Sequence, residues 1–187
     1  MKTKWLAATL LCASALTACT PAQTHSERRK LARETVIQGY PCAKGYAWFH
    51  PGGSLDSCTV AQEVAFGEAR IPAGSIIGLT PDGKPKNVRM SHDAAIRGWI
   101  FQGGGPLGAA EGSMVAFYPS GRLREGFLAG DQTIDGVPCA HGGLATTVVH
   151  GDPSVWFGED GRLERCRLSQ DFGGQKKDER FSRQAGK

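Results

Sequence analysis

The sequence has no apolar run long enough to cross a bilayer as a helix. The longest, Trp5–Leu16, covers 12 residues, against the roughly 20 that a membrane helix needs. Helical periodicity is nearly absent. Its best stretch, 28–37, is too short to hold a helix by itself, which argues against α and α/β folds. Neither charge sign dominates, with 22 Lys and Arg against 18 Asp and Glu, so there is no nucleic-acid footprint. Catalytic signatures are missing too. There is no Gly-x-Ser-x-Gly elbow, and the Gly-rich stretch FQGGGPLGAAEG (101–112) lacks the Gly-Lys-Ser/Thr ending of a phosphate loop. His50, His92, His141 and His150 have no nucleophile at a telling spacing. No catalytic residue, cofactor or metal is expected.

What is present begins at the N-terminus. Lys2 and Lys4 precede the apolar run, which ends in Leu16-Thr17-Ala18-Cys19. This is the layout of a secretory leader. The ending resembles the lipobox of bacterial lipoproteins: an aliphatic residue, two small ones, and the cysteine that is lipidated and becomes the new N-terminus. The resemblance covers the first 19 residues. It implies that 1–18 is a signal peptide, that Cys19 carries three acyl chains, and that the chain is anchored firmly to a membrane. Thr20 follows the cysteine in place of the Asp that retains lipoproteins at the inner membrane in enteric-type sorting. The resemblance therefore favours the periplasmic face of the outer membrane. Removing 1–18 takes two basic residues and no acidic one, leaving a side-chain charge of +2. Residues 19–30 read as a lipidated polar tether, and 172–187, with five basic and two acidic residues, as a basic disordered tail.

Between them, 31–171 is built on a repeat. An apolar residue, a fixed Ala or Ser, a variable residue and an acid recur, with the acids at Glu34, Glu63, Asp93, Asp131 and Asp171. Before each later acid comes a second pattern: WFHPGGSLDSCTV, GLTPDGKPKNVRM, AFYPSGRLREGFL and WFGEDGRLERCRL. Gly53, Gly83, Gly121 and Gly161 coincide in it, behind Phe49, Leu79, Phe117 and Phe157. Leu55, Leu123 and Leu163 follow, with Pro85 in the second unit. Turn residues flanked by alternating apolar positions specify hairpins. A further strand of the form Ile-x-Gly is expected at Ile37, Ile96 and Ile134. The fold class is therefore all-β: four tandem β-hairpin repeats, as a meandering antiparallel sheet or a solenoid-like array. The stretch VAFYPSGRLREGFLAG (115–130) resembles the bacterial variant of MORN repeats, well in unit three and partly in units one and four. That likeness implies a hairpin array serving as an interaction scaffold without catalytic residues.

Of the six cysteines, Cys12 leaves with the leader and Cys19 takes lipid. Cys42 and Cys58 in unit one occupy the places of Cys139 and Cys166 in unit four. Unit three has Phe101 and Gly126 there, and unit two has Val88 at the second place. A unit carries both cysteines or neither, so the expected disulfides are Cys42–Cys58 and Cys139–Cys166, which an oxidising envelope permits. A zinc set of Cys139, His141, His150 and Cys166 is the alternative, but its spacing fits no common ligand pattern. The five acids are expected to cap inter-repeat turns rather than to line up cations. Trp48, Trp156 and Trp99 are expected to fill the core, although aromatic rows also bind glycans or peptides.

Units three and four exceed the others by 102–112 and 142–153, and such insertions favour a binding face. The candidate binding residues are Gln102, Gly105, Leu107, Glu111, Thr146, Thr147, His150 and Asp152. The expectation is a lipid-anchored periplasmic binding or scaffold protein with an envelope protein as partner, no nucleic acid, and contact to membrane through its N-terminal lipid. An immunity or antitoxin-like protein is the first alternative, and an enzyme acting on cell wall or glycan the second.

Overall fold

The structure is a computed structural model and describes residues 26–104, 114–142 and 153–183. In chain order its strands are β1 (Glu27–Leu31), β2 (Thr35–Ile37), β3 (Tyr40–Phe49), β4 (Leu55–Val60), β5 (Val64–Phe66), β6 (Ala69–Ile71), β7 (Ile76–Leu79), β8 (Pro85–Arg89), β9 (Ala94–Ile96), β10 (Trp99–Phe101), β11 (Met114–Phe117), β12 (Leu123–Gly126), β13 (Gln132–Ile134), β14 (Val137–Cys139), β15 (Val155–Phe157), β16 (Leu163–Arg167) and β17 (Arg180–Ser182). No helix occurs among the described residues. The protein is all-β and antiparallel, as the alternation requires.

Each of the four units contributes a long hairpin to one meandering sheet, in the order β1-β3-β4-β7-β8-β11-β12-β15-β16-β17, with β2 paired to the start of β3. Every long hairpin turns at the aligned glycine. Gly53, Gly83, Gly121 and Gly161 all have φ between +79° and +85°, where a side chain would be strained. The N–H of each donates to the carbonyl of the residue three before it, at 2.8 Å in all four. The register then shifts at the same place in each hairpin, before Phe49, Leu79, Phe117 and Phe157. This repeated β-bulge adds one residue on the returning strand.

The Ile-x-Gly segments are more than single strands. Ile37, Ile96 and Ile134 each end the first arm of a short hairpin, made by β2–β3, β9–β10 and β13–β14, and unit two has the counterpart β5–β6. A unit is therefore two hairpins. The tips Gln38-Gly39, Arg97-Gly98 and Asp135-Gly136 have positive φ at both positions, the tight turn whose twist suits a two-residue hairpin.

The short hairpins cover one face of the sheet and close the core. Phe66, Ile71, Ile96, Phe101 and Ile134 from the short hairpins are buried with Leu55, Leu79, Val88, Phe117, Leu123, Phe157 and Leu163 from the long ones. Each such side chain stabilises the fold by about 1.5–3 kcal/mol relative to exposure. The short-hairpin tips are pinned to long-hairpin turns. Gln38 Oε1 accepts the N–H of Leu55 at 2.7 Å, Glu68 Oε1 that of Leu123 at 2.8 Å, and Asp135 Oδ2 that of Leu163 at 2.8 Å, while Arg97 Nη1 donates to Gly161 O at 2.6 Å. Trp99 stacks on Phe157 with ring centroids 5.1 Å apart, in keeping with a core role.

The two disulfides are those the repeat predicts, Cys42–Cys58 and Cys139–Cys166, each tying a short hairpin to the long hairpin of its own unit. The cysteines of the zinc alternative are thereby spent. Two expected boundaries need correction. Residues 27–30 of the expected tether belong to β1, which pairs with β3 from Glu27↔Phe49 to Leu31↔Gly45. Part of the expected disordered tail, Arg180–Ser182, forms β17 on β16. Both are charged edge strands, so their composition reads as tether or tail although their backbones pair.

Candidate binding face

The face of the sheet that no other described strand covers carries a row of directly opposed residues: Arg28, Trp48, Ser57, Gly78, Asn87, Ala116, Glu125, Trp156, Arg165 and Ser182. Trp48, Gly78, Ala116 and Trp156 hold the same place in their four units, each preceding an aligned core residue. Neighbours on a strand point to opposite faces, so Phe49 and Phe157 turn inward while Trp48 and Trp156 turn outward. Their expected core role is corrected on this ground. Trp48 is 37% exposed, and Trp156 lies under the guanidinium of Arg165, 4.2 Å from its ring centroid.

The middle of the row is low because Ser57, Gly78 and Ala116 are small. Beside it runs a second row, Thr59, Ile76, Arg89 and Met114. The repeated bulge places Asp56 and Lys86 on the other side. Between these walls lies a groove of about 340 Å³, lined by Trp48, Asp56, Ser57, Gly78, Lys86, Asn87, Arg89 and Met114 among others. A Cβ on Gly78 would collide with Asn87 Oδ1, so the glycine is what lets the Asn87 amide lie over the groove floor. Met114, 41% exposed, stands at the groove wall.

Charge is unevenly placed. Arg28 and Lys30 sit on this face at one edge, Lys86, Arg89 and Arg124 toward the middle, and Arg165, Arg167 and Arg180 at the other edge. The carboxylates among them are Asp56, Glu125 and Glu164, with Glu125 bound to Arg124 at 3.0 Å, and Asp178 at the rim bound to Arg167 at 3.2 Å. Among the described residues the face is therefore cationic, in a chain whose overall charge is only +4. His50 adjoins Asp56, 3.5 Å from Nε2 to Oδ1, but the same Nε2 lies 3.0 Å from the Leu79 carbonyl. A carbonyl can only accept, so Nε2 carries its proton there and serves the fold.

Three of the five repeated acids, Asp93, Asp131 and Asp171, act on backbone. Asp93 Oδ1 accepts the N–H of Gly103 at 2.9 Å, and Asp171 Oδ1 that of Lys177 at 2.8 Å. Asp131 Oδ1 accepts from His141 both the backbone N–H, at 2.9 Å, and Nδ1, at 2.7 Å. The His141 backbone N–H first, and then its ring, hold the Asp131 carboxyl below the usual carboxylate range. Glu63 takes Arg70 Nη1 at 3.3 Å. Among the described residues no group of three or more His, Cys, Asp or Glu is placed to share a metal ion.

Of the candidate loop residues, Gln102 is described, its N–H donating to Phe127 O at 2.8 Å. Gly105, Leu107, Glu111, Thr146, Thr147, His150 and Asp152 lie outside the described residues, as does Cys19. Sequence reasoning missed Ser57, Gly78, Asn87, Arg89 and Met114. The signal was there in part, since strand parity separates Trp48 from Phe49. Compared with protein-family models, curated proteins and solved structures, the chain matches none.

Proposed function

We propose that the chain is a lipid-anchored binding protein of the bacterial cell envelope, held by acyl chains on Cys19 and presenting the open sheet face to a partner in the periplasm. The observation that carries this reading is the contrast between the two faces. One is sealed by four short hairpins. The other keeps a groove of about 340 Å³ whose walls are Trp48, Ile76, Met114 and cations. A merely solvated sheet face needs neither a recess nor half-exposed Trp and Met. Two disulfides suit an oxidising compartment, and the Leu16-Thr17-Ala18-Cys19 ending supplies the anchor. A binding role, and not a catalytic one, fits His50 being committed to a backbone carbonyl.

The test is photo-crosslinking in intact cells from Met114 on the face and from Leu107 and Thr147 in the two sequence insertions, with palmitate labelling of the native chain and of Cys19→Ser. Palmitate in the native chain alone and adducts from Met114 are expected. Unlabelled native chain would overturn the anchor, and silence at Met114 with adducts from Leu107 or Thr147 would return the site to the insertions.

A further inference from the structure

We infer that the groove binds an anionic polysaccharide, a sugar ring resting against Trp48 while Lys86 and Arg89 hold its carboxylates. This rests on the binding reading and gives the ligand its chemistry. Four features select it. A half-exposed indole at a groove wall offers the apolar face that stacks on sugar C–H groups. The Asn87 amide, spread over Gly78, offers a donor and an acceptor to neighbouring hydroxyls or an acetamido group. Lys86 and Arg89 line the groove with a single carboxylate among the described residues, Asp56, which is itself near His50. The row continues in register to Trp156, six strand spacings or about 29 Å from Trp48, and to Arg165 one strand further, so the face suits an extended chain.

Other occupants fit less well. A protein hot spot wants an apolar centre, whereas the centre here is Ser57, Gly78 and Asn87. A lipid surface wants several protruding aromatics, whereas Trp48 lines a groove wall beside the polar Ser57 and Asn87 and Trp156 is capped by Arg165. The carboxylates can belong to lactyl-bearing cell-wall sugars or to uronic acids, and the two are separable by probe.

The experiment is calorimetric titration of the full chain in detergent with peptide-stripped peptidoglycan strands, with oligogalacturonate, and with neutral chitohexaose. Saturable binding of one carboxylated probe is expected, with chitohexaose weaker by about tenfold or more. Trp48→Ala, Arg89→Ala and the milder Arg89→Gln should each cost about tenfold in affinity. Arg70→Ala, on a short hairpin of the covered side, should change nothing. Equal binding of chitohexaose, no loss on Trp48→Ala in a chain that melts normally, or no binding of either acidic probe would overturn the proposal. If both acidic probes fail while Met114 yields a protein adduct in cells, the glycan falls and the binding reading stands. If glycan binds but palmitate is absent, only the anchor falls.

Discussion

The ring of Phe101 lies on the backbone of Gly126, so close that a Cβ added there would come within 2.7 Å of Phe101 Cδ1 and 3.3 Å of Val115 Cγ2. These two residues stand where units one and four place their disulfide. Unit three thus joins its two hairpins by a phenyl ring filling the space over a glycine.

Gly126→Ala should therefore destabilise the fold by about 1–3 kcal/mol, the range for overpacking a core. Phe101→Leu in the same chain should recover part of that loss, a coupling that independent sites do not show. Urea denaturation of both single variants and the double variant measures it. Strict additivity would mean that the two residues do not share the space.

The tip of the fourth short hairpin gives a second case. Asp135 Oδ2 takes the N–H of Leu163, a fully buried residue, and also lies 3.5 Å from Arg183 Nη2. Asp135→Ala strands that donor and should cost about 1–3 kcal/mol. Asp135→Asn keeps an acceptor and tolerates the positive φ of 50°, so it should cost clearly less. The comparison is read from the two melting midpoints.

Acid should loosen the inter-repeat turns. The folded-state carboxyl of Asp131 titrates below its unfolded value because of the His141 N–H and ring, and that of Asp171 because of the Lys177 N–H and the Lys176 ammonium. A lowered carboxyl pKa adds stability that is complete above the unfolded value, near 4, and is lost as pH falls through the folded one. Urea midpoints should thus drop as pH falls below about 4. Asp131→Asn should flatten that drop, and an unchanged slope would remove Asp131 from the acid response.

The tryptophans should separate by face. Trp99→Ala, which strips the stack on Phe157, should cost about 3 kcal/mol. Trp48→Ala, on the open face, should cost under about 1 kcal/mol. Thermal melts decide, and equal costs would contradict the two-sided sheet.

Each disulfide closes a loop within one unit, spanning 16 residues for Cys42–Cys58 and 27 for Cys139–Cys166. Replacing either pair by Ala should cost about 3 and 3.6 kcal/mol respectively on chain-entropy grounds. Melting temperatures with and without reductant, in each paired variant, test whether the longer loop costs more.

Local features were legible from residue order alone. Turn glycines at a fixed repeat position, alternating apolar residues and paired cysteine positions are properties of one unit, and they specify its long hairpin, its register and its disulfide. The Ile-x-Gly segments were legible as strands, but their return arms pair over only three residues each and carry too little pattern to announce a hairpin. Edge strands β1 and β17 were illegible for the same reason, since charged side chains on a paired backbone look like a tether or a tail. Which face is covered was settled by long-range packing. Alternation gives a sheet two faces, and its choice of partner comes from contacts far apart in sequence, such as Glu68 to Leu123 across 55 residues and Arg97 to Gly161 across 64. Those contacts seal Phe49, Phe117 and Phe157 inside and leave Trp48, Gly78, Asn87 and Trp156 aligned outside. The groove exists because side chains from separate units meet on adjacent strands.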